Sequence, residues 1–403
     1  MEVKLTDCYT LSDGKALMSG TEALVRLLLE QSRIDRLNGL RTKGLVSGYP
    51  GSPLGGLDIA LGKAKAFLDE EGIHFQPAVN EELAATALWG SQHINLYDNP
   101  DIQGVFSMWY GKGPGLDRAM DALRHANQGG VAPHGGMVIA VGDDPTGKSS
   151  TLAYQSDQNF HSLGIPYFFP KNVSDIIPMG LEAFALSRYS GCCVGLKIVV
   201  DTADSNAVVD MSKLRPSLPI LKPNSLVHVT KHDPASVRES KLHDVRLPAV
   251  QTWCENSENV AQVYLPAKKG ETRLGIIGVG KIANEVNEAL AGLLPDRGKK
   301  NTVAFTAINM PWPLPEKKIS TMLSVVEEVL VIEEKRSFVE EQIAKICLKQ
   351  DRHILLSGKT NPDGANLLPS YGELSLEDIL NVIAARASHH SIALNPIEKA
   401  PVV

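Results

Sequence analysis

The amino-acid sequence predicts an α/β protein with two doubly wound domains, each built on a parallel sheet. Short runs rich in β-branched residues alternate with helical stretches through residues 1–215, and a second alternation of this kind fills residues 269–403. Strands that alternate with helices at this spacing pair in parallel and carry helices on both faces. Residues 216–268 are polar and interrupted by proline, which predicts a linker region between the domains.

The first domain opens the sheet with the apolar run GLVSGYP and continues through five more strands. The predicted strands span residues 44–50, 74–79, 102–109, 136–142, 165–170 and 195–200. The predicted helices span residues 56–70, 81–96, 115–127 and 175–190.

The second domain begins with the apolar run RLGIIGVG and ends in a helix that opens with a capping-box pattern, Ser375 to Asp378. Its predicted strands span residues 273–280, 302–310, 327–334 and 353–359. Its predicted helices span residues 282–294, 337–350 and 374–388, and one further helix is predicted in the linker region at 249–261.

Composition narrows the class of protein. The net charge of −6 argues against a nucleic-acid backbone as the main partner. No apolar run approaches the ~20 residues that span a bilayer, and the first residues lack the apolar core of a signal peptide. We therefore expect a cytoplasmic protein that binds neither nucleic acid nor membrane. The five cysteines show no CxxC spacing, so we expect them to be reduced and any iron–sulfur cluster to lie on another chain.

The first motif is GYPGSP, at residues 48–53, where a predicted buried strand ends. Ligands of open α/β sheets bind at the carboxyl ends of the strands. Glycine and proline there would hold a loop against a ligand, and Ser52 offers a hydroxyl group. An ordinary strand-to-helix turn explains the same residues, so the motif alone leaves both interpretations open.

The second motif is NEELAATALWG, at residues 80–90. Asn80 is a favourable helix cap, and Glu81 and Glu82 fall in the first helical turn, where acidic side chains complement the helix dipole without any further role. In the functional interpretation, one of the two glutamates points into a cleft and hydrogen-bonds a nitrogen of a heterocycle.

The third motif is YGKGPG, at residues 110–115, which places three glycines and a proline between a predicted strand and a predicted helix. Such a loop allows a cofactor to approach the backbone closely. Lys112 is either a partner for a carboxylate or phosphate or a solvated surface lysine.

The fourth motif, GDDPTGKS at residues 142–149, matches the phosphate-binding P-loop pattern and makes a nucleoside triphosphatase a competing hypothesis. Two features argue against it. Asp143 and Asp144 would repel phosphate inside the loop, and the following segment is a poor helix, although a P-loop needs a helix N-terminus there.

A last motif, the GxG of Gly278 and Gly280, is weak evidence for a dinucleotide site. The next predicted strand ends without the acidic residue that would bind a ribose, and a tight strand-to-helix turn explains the glycines.

Taken together and in order, these motifs resemble the α subunit of indolepyruvate ferredoxin oxidoreductases, from about Gly20 to Ala387. The matching segments are SGYPGSPLGGLD, VNEELAATALWGSQ, WYGKGPGLDRAMDALRHAN, GDDPTGKSS, LGIIGVGKIANEVNEAL, PWPLPEKKI, VLVIEEKRSFVEEQI and GELS. The resemblance implies that residues 1–215 form a pyrimidine-binding domain for thiamine diphosphate. It also implies that residues 269–403 form a domain like the C-terminal domain of transketolase, and that the P-loop spelling is coincidental.

The resemblance further implies a reaction. A 2-oxoacid such as indolepyruvate is decarboxylated on thiamine diphosphate, electrons pass through iron–sulfur clusters to ferredoxin, and coenzyme A takes the acyl group. The family pattern assigns to Glu81, with Glu82 as the alternative, the carboxylate that hydrogen-bonds the N1′ nitrogen of the aminopyrimidine. Ser52 stands where relatives often have a threonine near the substrate carboxylate. The residues expected to contact the cofactor are Tyr49, Pro50, Gly51, Ser52, Glu81, Tyr110, Gly111, Lys112 and Gly113.

Two features of the family are missing from this sequence. It contains neither the G-D-G…N signature that holds the diphosphate through Mg²⁺ nor a cysteine-rich segment. We therefore expect a split subunit whose partner chain carries the diphosphate site, the Mg²⁺ and the iron–sulfur clusters. Two rival functions remain. A P-loop nucleotidase would hydrolyse ATP and lose that activity with Lys148→Ala, and a non-catalytic scaffold paralogue would join a complex whose turnover ignores Glu81→Gln.

Overall fold

A parallel sheet of six strands forms the centre of the first part of the molecule. The computed structural model describes residues 4–294 and 302–396, and within them the sheet has the strand order β3-β2-β4-β5-β7-β6, with every neighbouring pair parallel. The strands are β2 (Thr42–Gly48), β3 (Ile73–Phe75), β4 (Gly104–Lys112), β5 (Met137–Asp143), β6 (Tyr167–Phe168) and β7 (Val194–Val199). The predicted α/β fold class is confirmed.

Helices cover both faces of this sheet. On β4, Phe106 contacts Phe184 of one helix, and Trp109 donates its indole N–H to the carbonyl of Glu81 of another helix at 3.0 Å. Because residues an odd number of positions apart on a strand face opposite sides, these two helices lie on opposite faces. The helices up to residue 204 are α1 (Asp7–Thr10), α2 (Gly20–Leu37), α3 (Leu57–Lys63), α4 (Lys65–Glu70), α5 (Glu81–Ser91), α6 (Gly113–Gly129), α7 (Asp157–Leu163), α8 (Val173–Ser190) and α9 (Val200–Asp204).

Several local elements differ from the sequence-based prediction. The long helix α2 was not predicted, although Ser19 and Glu22 form a capping box at its start. The predicted strand 74–79 ends at Phe75, because Pro77 cannot donate to the ladder. The predicted helix 56–70 is divided at Ala64 into α3 and α4. A separate two-stranded antiparallel sheet pairs β1 (Lys15–Ser19) with β8 (Asn206–Asp210).

The second part of the molecule contains a five-stranded sheet of order β13-β12-β10-β11-β9 within the described residues. Four strands are parallel as predicted, and β9 pairs antiparallel with β11 at one edge. The apolar faces of α12 and α15 bury against the sheet. The elements are β9 (Ala261–Leu265), β10 (Leu274–Val279), β11 (Val303–Ile308), β12 (Glu328–Ile332), β13 (Leu355–Ser357), α12 (Ile282–Leu293), α13 (Glu316–Leu323), α14 (Val339–Cys347) and α15 (Leu376–His389).

The chain divides into two compact units, Met1–Asn259 and Val260–Val403. Much of the segment predicted as a linker therefore lies in the first unit, where it forms α10 (Ala235–Lys241) and α11 (Leu247–Asn256). Arg246 shows why. This side chain is fully buried and donates hydrogen bonds to the backbone carbonyls of Val227 and of residues 127–129, at the C-terminal end of α6.

The five cysteines all lie in the described part of the chain and are free. None of the helices described is both long and apolar enough to cross a membrane.

Candidate functional site

The carboxyl ends of β2, β4 and β5 lie side by side and bring three of the predicted motifs together. The strand register places Gly48 opposite Tyr110, and Lys112 opposite Gly142. The segments that leave these strands are therefore neighbours at one edge of the sheet, where open α/β sheets bind ligands. Ser52, in the first segment, contacts Ser149, in the third, through a hydrogen bond between their hydroxyl groups.

Helix α5 distinguishes between the two glutamates that the sequence left as alternatives. Asn80 caps the helix by accepting the N–H of Leu83 at 2.8 Å. The next residue, Glu81, is only 7% exposed, whereas Glu82 points to solvent. Of the pair, Glu81 is therefore the residue held within the fold.

The Glu81 carboxylate lies against the start of α6. A Cβ atom at Gly115 would be 2.8 Å from Glu81 Oε1, so only glycine leaves room for the carboxylate in this position. Arg118 approaches with its Nε 3.9 Å from Glu81 Oε2, and its side chain is 58% exposed. Among the described residues, the Glu81 carboxylate accepts no direct hydrogen bond. A buried carboxylate with unused acceptor capacity is unusual, and it suits a ligand that carries an N–H group.

The loop after β2 lies beside Lys112. A Cβ atom at Gly51 would be 2.9 Å from Lys112 Cδ, so the absence of a side chain at Gly51 makes room for the lysine stem. Within the described chain, the Lys112 ammonium group forms no hydrogen bond or ion pair. Tyr49 is 40% exposed, and Pro50 is exposed. This edge therefore carries the loop of Ser52 and, against Gly51 of that loop, the stem of Lys112.

Tyr110 has a different environment from the surface position expected for a cofactor contact. Its side chain is fully buried, and its hydroxyl donates to Asp58 Oδ1 at 2.5 Å. Burial, reinforced by the Asp58 carboxylate, raises the pKa of Tyr110 far above its usual range. In this chain Tyr110 packs the loop from beneath, since its ring lies against Gly48. Of the same motif, Gly113 lies under the ring of Tyr154.

The loop whose sequence matches the P-loop pattern, residues 142–149, is occupied by one of its own side chains, that of Asp144. Asp144 Oδ1 accepts the N–H groups of Gly147 and Lys148 at 2.8 and 3.1 Å. Asp144 Oδ2 accepts those of Ser149 and Ser150 at 2.8 and 2.9 Å. Convergent backbone N–H groups of this kind hold the phosphates in a P-loop, and here a carboxylate occupies them.

The neighbouring Asp143 belongs to a buried group of charges beneath the loop. Its Oδ2 accepts the N–H of Ser156 at 2.8 Å and lies 3.4 Å from Nζ of Lys197, which also contacts Asp157 at 2.6 Å. Burial raises the pKa of Asp143 above its usual value, and the Asp157 carboxylate adds to this, while the Lys197 ammonium group offsets only part of it. These contacts anchor residue 156 to the end of β5.

Some residues near the site were missed by the sequence interpretation. Arg118 and Tyr154 reach the site from α6 and from the segment after β5, and neither carries a local signal. Asp58 was likewise unnoticed. Ser149 lies in the segment that matches the P-loop pattern, and nothing in the sequence predicted its contact with Ser52.

Another cluster, in the second unit, has spacing compatible with a metal ion: Glu328, His389 and His390. Its carboxylate is already engaged, because Arg386 donates two hydrogen bonds to Glu328 at 2.6 and 2.7 Å and His390 Nε2 lies 2.8 Å away. These contacts describe a buried ion pair that fastens the end of α15 to the start of β12. The guanidinium would repel a cation placed there.

Comparison with known proteins tests the family resemblance that the sequence motifs predict. Residues 266–400 match the family described as the indolepyruvate oxidoreductase domain. The chain is 26% identical over 381 residues to indolepyruvate oxidoreductase subunit IorA of Methanothermobacter marburgensis. It is 25% identical over 398 residues to IorA of Pyrococcus abyssi. These alignments cover 94% and 95% of this chain. The predicted resemblance to this family is confirmed.

The chain spans 55% and 54% of the lengths of these two relatives. Among solved structures, it is similar to 2-oxoglutarate:ferredoxin oxidoreductase from Magnetococcus marinus, which was solved with 2-oxoglutarate, coenzyme A and succinyl-CoA bound. The TM-score is 0.60 at 17% identity, covering 93% of this chain and 65% of that chain.

A split-gene transketolase, solved as an inactive β4 tetramer, gives a TM-score of 0.55 at 11% identity and covers 92% of this chain and 98% of that chain. At such identities the two structures establish the fold alone.

Proposed function

We propose that this chain is the aminopyrimidine-binding subunit of a thiamine diphosphate-dependent 2-oxoacid:ferredoxin oxidoreductase. The substrate class is an aryl 2-oxoacid such as indolepyruvate, and the products are its acyl-CoA and CO₂. The relatives named indolepyruvate oxidoreductase subunit IorA support this function, since they match nearly the whole chain. The fold shared with a 2-oxoglutarate:ferredoxin oxidoreductase adds support.

The observation that carries the proposal is the environment of Glu81. Its carboxylate is buried at the start of α5, lies against a glycine, and accepts no direct hydrogen bond from the described residues. A carboxylate in this state would hydrogen-bond the N1′ nitrogen of an aminopyrimidine and hold a proton there. Thiamine diphosphate, when bound, supplies the electron sink for decarboxylation.

Lys112 and Ser52 would orient the substrate. Lys112 has an ammonium group without an ion pair in the described chain, and its stem lies against Gly51, the residue before Ser52. A 2-oxoacid carries a carboxylate that a lysine ammonium attracts and a hydroxyl hydrogen-bonds. The proposed role of this edge is therefore to place the carboxylate of the substrate while Glu81 binds the cofactor.

The remaining parts of the site would come from a partner chain. We propose that the partner carries the diphosphate site, the Mg²⁺ and the iron–sulfur clusters, and passes electrons to ferredoxin. The surface next to Glu81 supports this division, because Val79 is 78% exposed and Leu83 is 52% exposed. Exposed apolar side chains grouped beside a site favour a protein interface.

The geometry does not favour a P-loop nucleotidase. The backbone N–H groups that would bind phosphate are occupied by Asp144. The next helix, α7, begins only at Asp157 and therefore cannot direct its N-terminus at a phosphate in the loop.

The test is to purify the tagged chain from its native host with its partners and to measure viologen reduction with indolepyruvate, phenylpyruvate and pyruvate. We expect activity with a 2-oxoacid, and we expect Glu81→Gln to lower it by about 10²- to 10⁴-fold, the usual contribution of a proton-holding group. Glu82→Gln is the matched control, because it removes the same charge from the exposed neighbour. A complex whose turnover ignores Glu81→Gln would indicate the scaffold paralogue, and ATP hydrolysis by the isolated chain would indicate the nucleotidase.

A further inference from the structure

Asp144 fixes the backbone that carries Ser149. It is only 1% exposed and accepts four backbone N–H groups of residues 147–150. The Ser149 hydroxyl also lies 3.2 Å from Asp144 Oδ2. A loop held by charge-assisted hydrogen bonds at each of four successive residues has little freedom to move its backbone, so the Cβ of Ser149 stays in one place.

The ionisation state of Asp144 determines which hydrogen bonds the Ser149 hydroxyl can form. Burial works against ionisation of Asp144, but the backbone N–H groups outweigh it and lower the pKa of Asp144 below its usual value. An ionised carboxylate only accepts hydrogen bonds. The Ser149 hydroxyl therefore has two acceptors within reach, Asp144 Oδ2 and Ser52 Oγ, and its oxygen can accept from Ser52 in turn.

We propose that Ser149, held in place by Asp144, is a positioning residue for the Ser52 hydroxyl and, through it, for the carboxylate of the 2-oxoacid. The inference rests on the proposed function, because that function places the substrate carboxylate beside Ser52. Substrate binding requires the Ser52 hydroxyl to turn its hydrogen toward the carboxylate. Ser149 allows this turn because it can donate to Ser52 Oγ instead of accepting from it. The segment with the P-loop spelling thus supports substrate binding rather than nucleotide binding.

The experiment compares Ser149→Ala and Ser149→Thr in the purified complex. We expect Ser149→Ala to raise the KM for the 2-oxoacid by about fivefold, the effect of one hydrogen bond, with kcat nearly unchanged. Ser149→Thr, which keeps a hydroxyl, should restore the KM to within about twofold by the same reasoning. Ser150→Ala is the matched control, because the Ser150 hydroxyl donates to the carbonyl of Leu152 at 2.7 Å and does not contact Ser52.

A second measurement follows the loop itself. In Asp144→Asn, an amide group replaces one acceptor oxygen, so we expect faster hydrogen exchange at the backbone N–H groups of residues 147–150 together with a raised KM. A wild-type complex without activity on any 2-oxoacid overturns the proposed function and this inference with it. A wild-type complex that is active while Ser149→Ala keeps the wild-type KM overturns this inference alone.

Discussion

The contact between Gly115 and Glu81 allows a substitution whose effect follows from distances. In Gly115→Ala, the new Cβ would lie 2.8 Å from Glu81 Oε1, whereas an ordinary contact begins at 3.4 Å, a difference of 0.6 Å. The new Cβ would also lie 2.9 Å from Glu81 Cγ, so the whole Glu81 side chain has to rotate, which moves the carboxylate without unfolding the protein. A displacement of about 1 Å at a reacting group commonly lowers the rate by about 10²-fold. We therefore expect the turnover of the complex to fall by about tenfold or more.

The assay is 2-oxoacid-dependent viologen reduction, with thermal unfolding measured on the same samples. Gly62→Ala is the matched control, because Gly62 also lies in a helix of the first unit and a Cβ there would meet no atom within 4 Å. Alanine in place of a helical glycine stabilises by roughly 0.5–1 kcal/mol, so neither variant should melt markedly earlier. Wild-type turnover in Gly115→Ala would refute the idea that the position of the Glu81 carboxylate matters.

Two further expectations concern stability. Arg246→Lys should lower the free energy of unfolding by about 2–4 kcal/mol, since lysine cannot serve the four carbonyls that Arg246 binds and each buried carbonyl left unpaired costs about 1–3 kcal/mol; an unchanged urea midpoint would contradict this. Burial lowers the pKa of His228 to about 4. The unfolded chain then binds more protons than the folded chain between about pH 6.5 and pH 4. The free energy of unfolding therefore decreases as the pH is lowered through this window, by about 2 kcal/mol at pH 5. His228→Gln should flatten that decline in urea unfolding measured from pH 7 to pH 5, and an equal decline in both proteins would count against it.

Much of the fold was predictable because the local sequence patterns agree with the final structure. Two strands at the site, β4 and β5, are largely buried runs that begin at or directly after a glycine. Asn80 and Ser375 cap helices that begin where their sequence patterns place them. Helix α2 was missed, although its first turn contains a capping box. It contains Arg26 and Glu30, which are buried as an ion pair and conceal its apolar face in the sequence.

The candidate site was predicted only in part. Motif order pointed to Glu81, Ser52 and Lys112, and the structure brings the loop of Ser52 beside Lys112, the last residue of β4. Tyr110 was expected at the same surface, but its side chain is fully buried and its hydroxyl donates to Asp58. Tyr110 and Lys112 lie two positions apart and share a face of β4. The strand period alone therefore cannot separate a buried side chain from an accessible one, and the elements packed over that face decide it.

The sequence by itself determined the alternation of strands and helices, the helix caps and the family resemblance, because these depend on residues close together in the chain. Tertiary structure decided the rest. It buried Glu81 and left Glu82 exposed, since Gly115 leaves room for the Glu81 carboxylate and no local rule separates two adjacent acids in a first turn. It also showed that the segment with the P-loop sequence pattern forms a loop whose backbone N–H groups bind Asp144. Whether backbone N–H groups remain available to a ligand depends on how the loop closes in three dimensions, which the residue types alone do not specify.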